Sequence, residues 1–246
     1  MESSKLQADE LLKSKNEVPL EFNRVAVKYD FATSLSQGYQ SDLQRSVDRM
    51  NLTGNEYVAD LCCGTGKSSI ACLNNLPNGK VLGIDNSKGM LESAKQKFAQ
   101  QIESDNLKFE LNDVMELDYD DNSFDAIFMA YGIRNMPDYE KCLQNLYRML
   151  KPGGVICFHE YSLNDNFIAR LYWRMMGYLI IIPISAIISG SSIIFHYLIK
   201  SVLNFPSPNE FLEMLNITGF EKVKRFPQPS WRRPILHTFI AYKPNK

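Results

Sequence analysis

Short apolar runs alternate with amphipathic stretches over residues 53–246. The apolar runs have the length of buried strands and lie at residues 57–61, 80–85, 107–111, 124–130 and 155–162. The stretches between them show helical spacing, clearest at residues 87–104 and 137–151, and a further helix is predicted from the glycine turn to about residue 75. Strands that alternate with helices predict an α/β fold, a doubly wound and mostly parallel sheet.

The two ends of the chain depart from this alternation. Phe22, Ala26 and Tyr29 recur at helical spacing and predict a helix over residues 20–31. A second helix is expected over residues 41–50, so residues 1–52 form an N-terminal helical cap before the main domain, residues 53–246. Near the carboxyl terminus the pattern predicts one helix and two closing strands, with a parallel or antiparallel direction left open, at residues 207–220, 221–226 and 235–243.

One segment is unusually apolar. Residues 175–199 contain no Asp, Glu, Lys or Arg, which by length alone makes them a candidate membrane span. Pro183 and Gly190 interrupt the segment, so we expect two short lid elements hinged near these residues, inside a hydrophobic insertion over residues 163–206. A buried lid and a lid that faces a membrane both fit. Basic residues flank the segment as anchors beside anionic lipid would: Arg170, Arg174 and Lys200.

Composition excludes several classes. The 246 residues carry 27 Lys and Arg against 28 Asp and Glu, a formal net charge of −1. No basic excess exists to neutralise phosphates, so we expect no nucleic-acid partner. The 5 cysteines form no Cys-x-x-Cys pair and the 3 histidines are scattered, so no metal site is predicted. Free thiols and a polar amino terminus predict a cytoplasmic protein.

The candidate chemistry follows the first three strands. A turn with small residues, from Asp60 to Gly66, follows the first strand, and Asp85 ends the second. The turn lacks the third glycine of a dinucleotide fingerprint and the spacing of a P-loop. Asp113 follows the third strand. Any one of these acids is a common loop residue, but the ordered set at one sheet edge predicts a nucleoside ligand, with Asp85 on ribose hydroxyls and Asp113 on an adenine amino group.

The chain resembles class I S-adenosylmethionine-dependent methyltransferases, and more narrowly the ubiquinone/menaquinone biosynthesis C-methyltransferases. The resemblance runs over roughly residues 22 to 242. Its specific parts are Gly132-Ile133-Arg134-Asn135 and the run Lys151-Pro152-Gly153-Gly154 followed by Glu160-Tyr161-Ser162. It implies a Rossmann-like methyltransferase fold with seven strands and S-adenosyl-L-methionine as the cofactor.

The resemblance also implies roles for individual residues. Thr65 and its flanking backbone are expected to hold the methionine part of the cofactor, and Ala130 lies where the family often has Ser. Met90 is expected on the adenine, with a place in the core as the alternative. The full set of expected cofactor contacts is Asp60, Cys63, Gly64, Thr65, Gly66, Asp85, Asn86, Met90, Asp113, Val114, Ala130 and Tyr29.

Methylation of a quinol carbon requires a base or a group that stabilises an anion. Arg134 is the first candidate, because a guanidinium near the end of the fourth strand suits a phenolate; a salt bridge to an acid of the cap is the alternative. Tyr131, Asn135, His159 and Tyr29 are further catalytic candidates, and His159 suits a packed core position equally well. Gln40 and Leu43 stand where the family often has His and Trp, and Lys67 where it has Asp.

Three functions fit these residues. The first is C-methylation of a prenylated quinol by an enzyme peripheral to the inner face of a membrane. The second is methylation of another hydrophobic small molecule, such as a polyketide, sterol or phenol. The third is binding of S-adenosylmethionine without turnover by a membrane-associated protein. The oligomeric state stays open between a monomer and a homodimer.

Overall fold

The computed structural model describes residues 37–181 and 193–245. Their helices and strands follow in chain order: α1 Gln37–Asp48, β1 Tyr57–Leu61, α2 Lys67–Leu73, β2 Lys80–Asp85, α3 Lys88–Lys97, α4 Ala99–Glu103, β3 Leu107–Leu111, β4 Phe124–Ala130, α5 Tyr139–Met149, β5 Leu150–Tyr161, α6 Phe167–Met176, α7 Ile193–Asn204, α8 Pro208–Thr218, β6 Glu221–Pro227 and β7 Leu236–Tyr242. Single 3₁₀ turns lie at Val114–Glu116, Ile133–Asn135 and Ser230–Arg232, and a π-helical turn at Gly177–Ile181 extends α6.

The strands form one sheet of seven, in the order β3-β2-β1-β4-β5-β7-β6. Strands β1 to β5 are parallel, and β7 runs antiparallel between β5 and β6. The predicted fold is therefore confirmed, and the open direction of the closing strands is settled. The carboxyl ends of β1, β2, β3 and β4 meet at one edge, where ligands bind in folds of this kind.

Apolar side chains fill both faces of the sheet. One face packs against α5 and α8 around Phe158 and Phe211, and the other packs against α1 and α2 around Leu43 and Phe128. A smaller cluster beneath α6 and α7 includes Trp173. In β1 and β2 only the first residue is exposed, as expected for central parallel strands covered on both faces.

Several predicted helices have other boundaries in the structure; the helix expected over residues 41–50, for example, is α1, Gln37–Asp48. The helix expected over residues 87–104 breaks at Phe98, whose ring lies so close to Gly66 that a Cβ there would be 2.9 Å from it. The helix expected over residues 137–151 is α5, which begins after the Asp138 cap and ends before Pro152 is reached.

Strand β5 begins five residues earlier than residue 155, where the sequence placed its start. The run Pro152-Gly153-Gly154 pairs with the end of β7: Gly153 N–H donates to the Lys243 carbonyl at 2.9 Å, and Lys243 N–H donates to the Gly154 carbonyl at 3.0 Å. Gly153 has a φ of 76°, which glycine adopts without strain. The Pro-Gly-Gly run, which locally favours a turn, is therefore part of the sheet, because it pairs with residues that are remote in sequence.

Part of the apolar segment lies within the described residues. Helix α6 and its π-helical turn precede residues 182–192, and α7 follows them. Trp173 Nε1 donates to the Ile199 carbonyl at 3.4 Å and joins the two helices. Within the ranges that the structure describes, no helix has the length and hydrophobicity to cross a membrane. The expected hinges at Pro183 and Gly190, and the helix expected over residues 20–31, lie outside the described residues.

The amino terminus of α8 supports a stability prediction. Ser207 Oγ accepts from Glu210 N–H at 3.3 Å, and Glu210 Oε2 accepts from Ser207 N–H at 2.7 Å. This reciprocal capping box satisfies two N–H groups at the start of the helix. Ser207→Ala is expected to lower the free energy of unfolding by about 1 kcal/mol in chemical denaturation. Ser207→Thr keeps the hydroxyl and is the control; equal losses in both variants would contradict a role for the cap.

Candidate functional site

The loop between β1 and α2 is built to bring backbone close to a ligand. Cys62, Gly64 and Gly66 have φ values of 56°, 54° and 80°. A Cβ on Gly64 would meet nothing within 4 Å, so the loop is open on that side. At Gly66 a Cβ would lie 2.9 Å from the rings of Phe98 and Phe109, so glycine is required there for close packing.

Asp60 lies beneath this loop. Its side chain is fully buried, and Oδ2 accepts hydrogen bonds from Ser68 Oγ at 2.7 Å and Ser69 Oγ at 2.6 Å. Oδ1 is buried without a hydrogen-bond partner in the described structure. Burial raises the pKa of the Asp60 carboxyl to about 7. A cationic ligand group near Oδ1 would satisfy this oxygen and favour the ionised carboxylate.

Asp85 ties the loop to the start of α3. Its Oδ2 accepts from Gly64 N–H at 2.8 Å and its Oδ1 from Ser87 N–H at 2.8 Å. Burial raises the pKa of this carboxyl above its usual value, while the two backbone bonds oppose the shift. Each oxygen keeps a second lone pair, which suits vicinal hydroxyl groups.

Asp113 is the third acid at this edge of the sheet. Asp113 Oδ1 accepts from Met115 N–H at 2.8 Å, and Asn86 Nδ2 lies 3.5 Å from Asp113 Oδ2. Asn86 is exposed and Asp113 half-buried, whereas the apolar residues expected around the adenine are buried: Met90, Val114 and Ala130. Thr65 and Cys63 are buried within the loop as well.

These residues fit S-adenosyl-L-methionine. The loop offers an open cradle at Gly64, the orphaned Asp60 Oδ1 suits an ammonium group, and Asp85 suits ribose hydroxyls. Every expected cofactor residue lies at or next to the carboxyl ends of β1 to β4, except Tyr29, which lies outside the described residues.

Arg134 lies in the 3₁₀ turn after β4 and is buried in an ion pair. Its Nη1 donates to Glu160 Oε1 at 2.8 Å and Oε2 at 3.1 Å, and to the Tyr131 carbonyl at 2.5 Å. Glu160 is fully buried; burial raises the pKa of its carboxyl, and the Arg134 charge opposes the shift. A salt bridge therefore exists, with an acid of β5 in place of the cap acid that the sequence suggested.

Asn135 links this loop to the apolar insertion. Its Nδ2 donates to the Tyr131 carbonyl at 3.2 Å, and its Oδ1 accepts from the Tyr197 hydroxyl of α7 at 3.0 Å. Gly132 makes the turn possible, because a Cβ there would lie 2.8 Å from Cys62 Sγ. The residues after β4 are thus packed against both the glycine loop and α7.

A row of aromatic rings crosses the same edge. Tyr131 stacks on Tyr39 with ring centroids 5.5 Å apart and an interplanar angle of 18°, and its centroid is 5.3 Å from that of Tyr161. Trp173 of α6 continues the row, 4.9 Å from Tyr161. The Arg134 guanidinium carbon lies 5.8 Å from the centroid of the Tyr131 ring. A flat aromatic ligand is well suited to such a wall.

His159 lies behind Tyr131. Its side chain is fully buried, with Nε2 2.9 Å from the Tyr131 hydroxyl and Nδ1 2.8 Å from Ser46 Oγ. Burial lowers its pKa to about 3, so the imidazole is neutral near pH 7. His159 was, with Arg134, a candidate for direct chemistry. Both of its ring nitrogens are hydrogen-bonded, so any influence of His159 on a ligand passes through Tyr131.

Several residues of this site were missed in the sequence. Glu160 and Tyr161 stand in a motif that was recognised without a role, and their position at the end of a strand was a usable signal. Tyr39, Tyr197 and Ser46 come from helices, where no local pattern indicates which remote side chain they meet.

Comparisons with known proteins assign the chain to a family. The ubiE/COQ5 methyltransferase family profile matches residues 10–228. A demethylmenaquinone methyltransferase of Oceanobacillus iheyensis is 36% identical over 208 residues, 82% of this chain and 86% of the relative. The enzyme of the same name from Staphylococcus aureus is 32% identical over 216 residues, 86% of this chain and 88% of the relative.

A solved structure from Thermotoga maritima, described as an S-adenosylmethionine-dependent methyltransferase, covers 90% of this chain and 97% of its own with a TM-score of 0.64. At 17% identity it supports the fold alone. With a family profile over most of its length and relatives above 30% identity, the chain belongs to the ubiE/COQ5 methyltransferase family and is an S-adenosylmethionine-dependent methyltransferase.

Proposed function

We propose that this enzyme methylates a ring carbon of a prenylated quinol, as in menaquinone or ubiquinone biosynthesis. The single observation that carries the proposal is Arg134, held beneath an aromatic wall at the edge where the cofactor acids meet. The names of the two relatives support the same substrate class.

The chemistry requires an activated ring and a reactive methyl group. Bound S-adenosylmethionine would supply an electrophilic methyl group with S-adenosylhomocysteine as the leaving group, and the ring hydrogen that the methyl group replaces would leave as a proton. A quinol carbon becomes nucleophilic when the adjacent hydroxyl loses its proton, and the residues of this chain must then stabilise the oxyanion. The ion pair of Arg134 with Glu160 is neutral overall, so the guanidinium acts at hydrogen-bond range and not as a distant charge.

We assign the remaining side chains of this edge by their positions. Asp85 holds the ribose, Asp113 and Val114 the adenine, and the backbone of residues 63–66 the methionine part. Tyr131 and Asn135 shape the acceptor pocket next to Arg134. Tyr39 and Tyr161 extend the aromatic wall on the two sides of Tyr131, and exclusion of water by these rings favours transfer to carbon.

The cofactor assignment predicts a binding defect in Asp85→Asn. The amide keeps the size of the side chain but removes the charge that accepts hydroxyl hydrogens, so the affinity for S-adenosylmethionine is expected to fall by about 1–3 kcal/mol in calorimetry. Asp105→Asn, at an exposed acid paired with Lys80, is the matched control and should bind normally. Unchanged affinity in Asp85→Asn would contradict the ribose assignment.

The acceptor assignment predicts a turnover defect in Arg134→Lys. Lysine keeps the charge but loses the planar donor geometry, so the rate of methyl transfer to a demethylmenaquinol is expected to fall about 100-fold with cofactor affinity retained. Arg148→Lys, on α5 and bonded to Asp121, is the control. Equal losses of turnover and cofactor affinity would indicate a structural role for Arg134.

The same assay tests the substrate class. Labelled S-adenosylmethionine is offered with demethylmenaquinol, a short-chain analogue and an unrelated phenol, and the labelled product is identified. Transfer to the phenol alone would favour the wider class of hydrophobic acceptors. No transfer to any acceptor, with normal cofactor binding, would favour a protein that binds the cofactor without turnover.

We further propose that the enzyme works at the cytoplasmic face of a membrane, with the insertion over residues 163–206 as its contact. Helix α6 turns Ala169 and Trp173 inward, yet its opposite side is also apolar and is exposed. Arg174 lies exposed beside this face, and no acidic residue occurs between Asp165 and Glu210. The exposed apolar residues are Phe167, Ile168, Leu171, Tyr172, Met175, Tyr178 and Leu179.

The membrane proposal predicts that Ile168→Ser weakens binding to vesicles that contain anionic lipid. Loss of a side chain that inserts among acyl chains is expected to reduce the partition coefficient about 10-fold in a flotation assay. Ile217→Ser on α8 is a close control, because Ile168 and Ile217 are 77% and 76% exposed. Equal effects of both variants, or no binding by the unaltered protein, would contradict this surface.

A further inference from the structure

A group of buried polar side chains lies behind Tyr131, between α1 and the sheet. Ser46, His159, Gln228 and Thr238 are fully buried, and Arg49 lies half-buried beside them. Buried polar groups destabilise a fold unless they are hydrogen-bonded. None of these side chains has a part in the cofactor site, so their arrangement requires its own explanation.

The orientation of the Gln228 amide is set by a cation. Arg45 Nη1 donates to Gln228 Oε1 at 3.3 Å, so the amide nitrogen faces the other way. Gln228 Nε2 then donates to Ser46 Oγ at 3.0 Å and Thr238 Oγ1 at 2.9 Å, and it also lies 3.5 Å from His159 Nδ1, which is an acceptor toward this amide as well.

Thr238 must donate to Ser46. Arg49 is a donor only, and its Nη1 donates to Thr238 Oγ1 at 2.7 Å. Together with Gln228 it fills both lone pairs of that oxygen. The Thr238 hydroxyl hydrogen therefore goes to Ser46 Oγ, 2.7 Å away.

The same count of donors and lone pairs shows which ring nitrogen of His159 carries the hydrogen. Ser46 Oγ already accepts from Gln228 and Thr238, so it has no lone pair for a third donor. His159 Nδ1, 2.8 Å from Ser46 Oγ, is therefore the acceptor, and shares the Ser46 hydrogen with the Asp42 carbonyl at 3.0 Å. A neutral imidazole then carries its hydrogen on Nε2.

This hydrogen is directed at Tyr131. Nε2 lies 2.9 Å from the Tyr131 hydroxyl oxygen, and the two rings meet edge to face with centroids 4.9 Å apart. Because Tyr131 accepts this hydrogen, its own hydroxyl hydrogen is not directed at His159. All bonds of the chain from Arg49 through Thr238, Ser46 and His159 run toward Tyr131, and hydrogen bonds aligned in one direction polarise each other.

We propose that Thr238, Ser46 and Arg49 hold His159 in its Nε2–H tautomer, and that His159 thereby positions Tyr131 as a hydrogen-bond donor to an oxygen of the methyl acceptor. The identity of the acceptor rests on the proposed function, but the tautomer does not. Donation from His159 stabilises negative charge on the Tyr131 oxygen, which makes its hydroxyl a stronger donor to a developing oxyanion.

The first test is spectroscopic and needs no acceptor. Nitrogen-15 chemical shifts of the histidines are measured in the unaltered protein, with His159 assigned by loss of its signals in His159→Gln. We expect a neutral imidazole with the hydrogen on Nε2 near pH 7. A hydrogen on Nδ1, or a charged ring, would overturn the proposal even if the enzyme methylates quinols as proposed.

The second test measures whether the chain acts through Tyr131. Thr238→Val keeps the shape of the side chain and removes the hydroxyl, so kcat is expected to fall about 10-fold with little change in KM, which corresponds to one lost hydrogen bond. Thr238→Ser restores the hydroxyl and should restore kcat. In a Tyr131→Phe background, Thr238→Val should cause no further fall.

The background comparison separates positioning from stability. The same fall in kcat with and without the Tyr131 hydroxyl would show that Thr238 supports only the fold, and would overturn the proposal. If Thr238→Val does not fold, Ser46→Ala is compared in the same two backgrounds. If a quinol is not methylated at all, the proposed function fails while the tautomer measurement still decides this inference.

Discussion

The residues that we assign to the methyl acceptor are held in position by the buried ion pair between Arg134 and Glu160. The guanidinium bonds simultaneously to the Glu160 carboxylate and the Tyr131 carbonyl, and so fixes the loop after β4 against β5. Tyr131 has a φ of 57°, a left-handed conformation unfavourable for a tyrosine. Removal of either partner would leave an unpaired buried charge and destabilise the protein by several kcal/mol. The ion pair therefore holds Tyr131 in its strained conformation.

The sequence was most informative where burial is complete. Strands β1, β2 and β4 begin and end at the predicted residues, because central parallel strands must be apolar along nearly their whole length. The helix breaks at Phe98, where the ring packs on Gly66, and the early start of β5 pairs with Lys243; neither feature was predictable, because both partners are remote in sequence. Local patterns carry no information about such partners.

The same division applies to the site. Asp85 ends β2 and Asp113 follows β3, so the sequence could place both at one edge, because parallel strands bring their carboxyl ends together. The partners of Arg134 and His159 were not found, since Glu160 and Ser46 are paired with them only by the folded chain. Residue type and order thus indicate which residues share this edge of the sheet, but not which side chains pair across the fold.

Asn135 has a consequence for the energetics of ligand entry. One side chain bonds the loop carbonyl of Tyr131 with its amide nitrogen and the Tyr197 hydroxyl of α7 with its oxygen. Any ligand that binds more tightly when α7 is docked must, by thermodynamic reciprocity, also dock α7 more firmly when it binds. The affinity of the pocket and the position of the helix are thus linked quantities, and hydrogen exchange in α7 reports on the occupancy of the pocket.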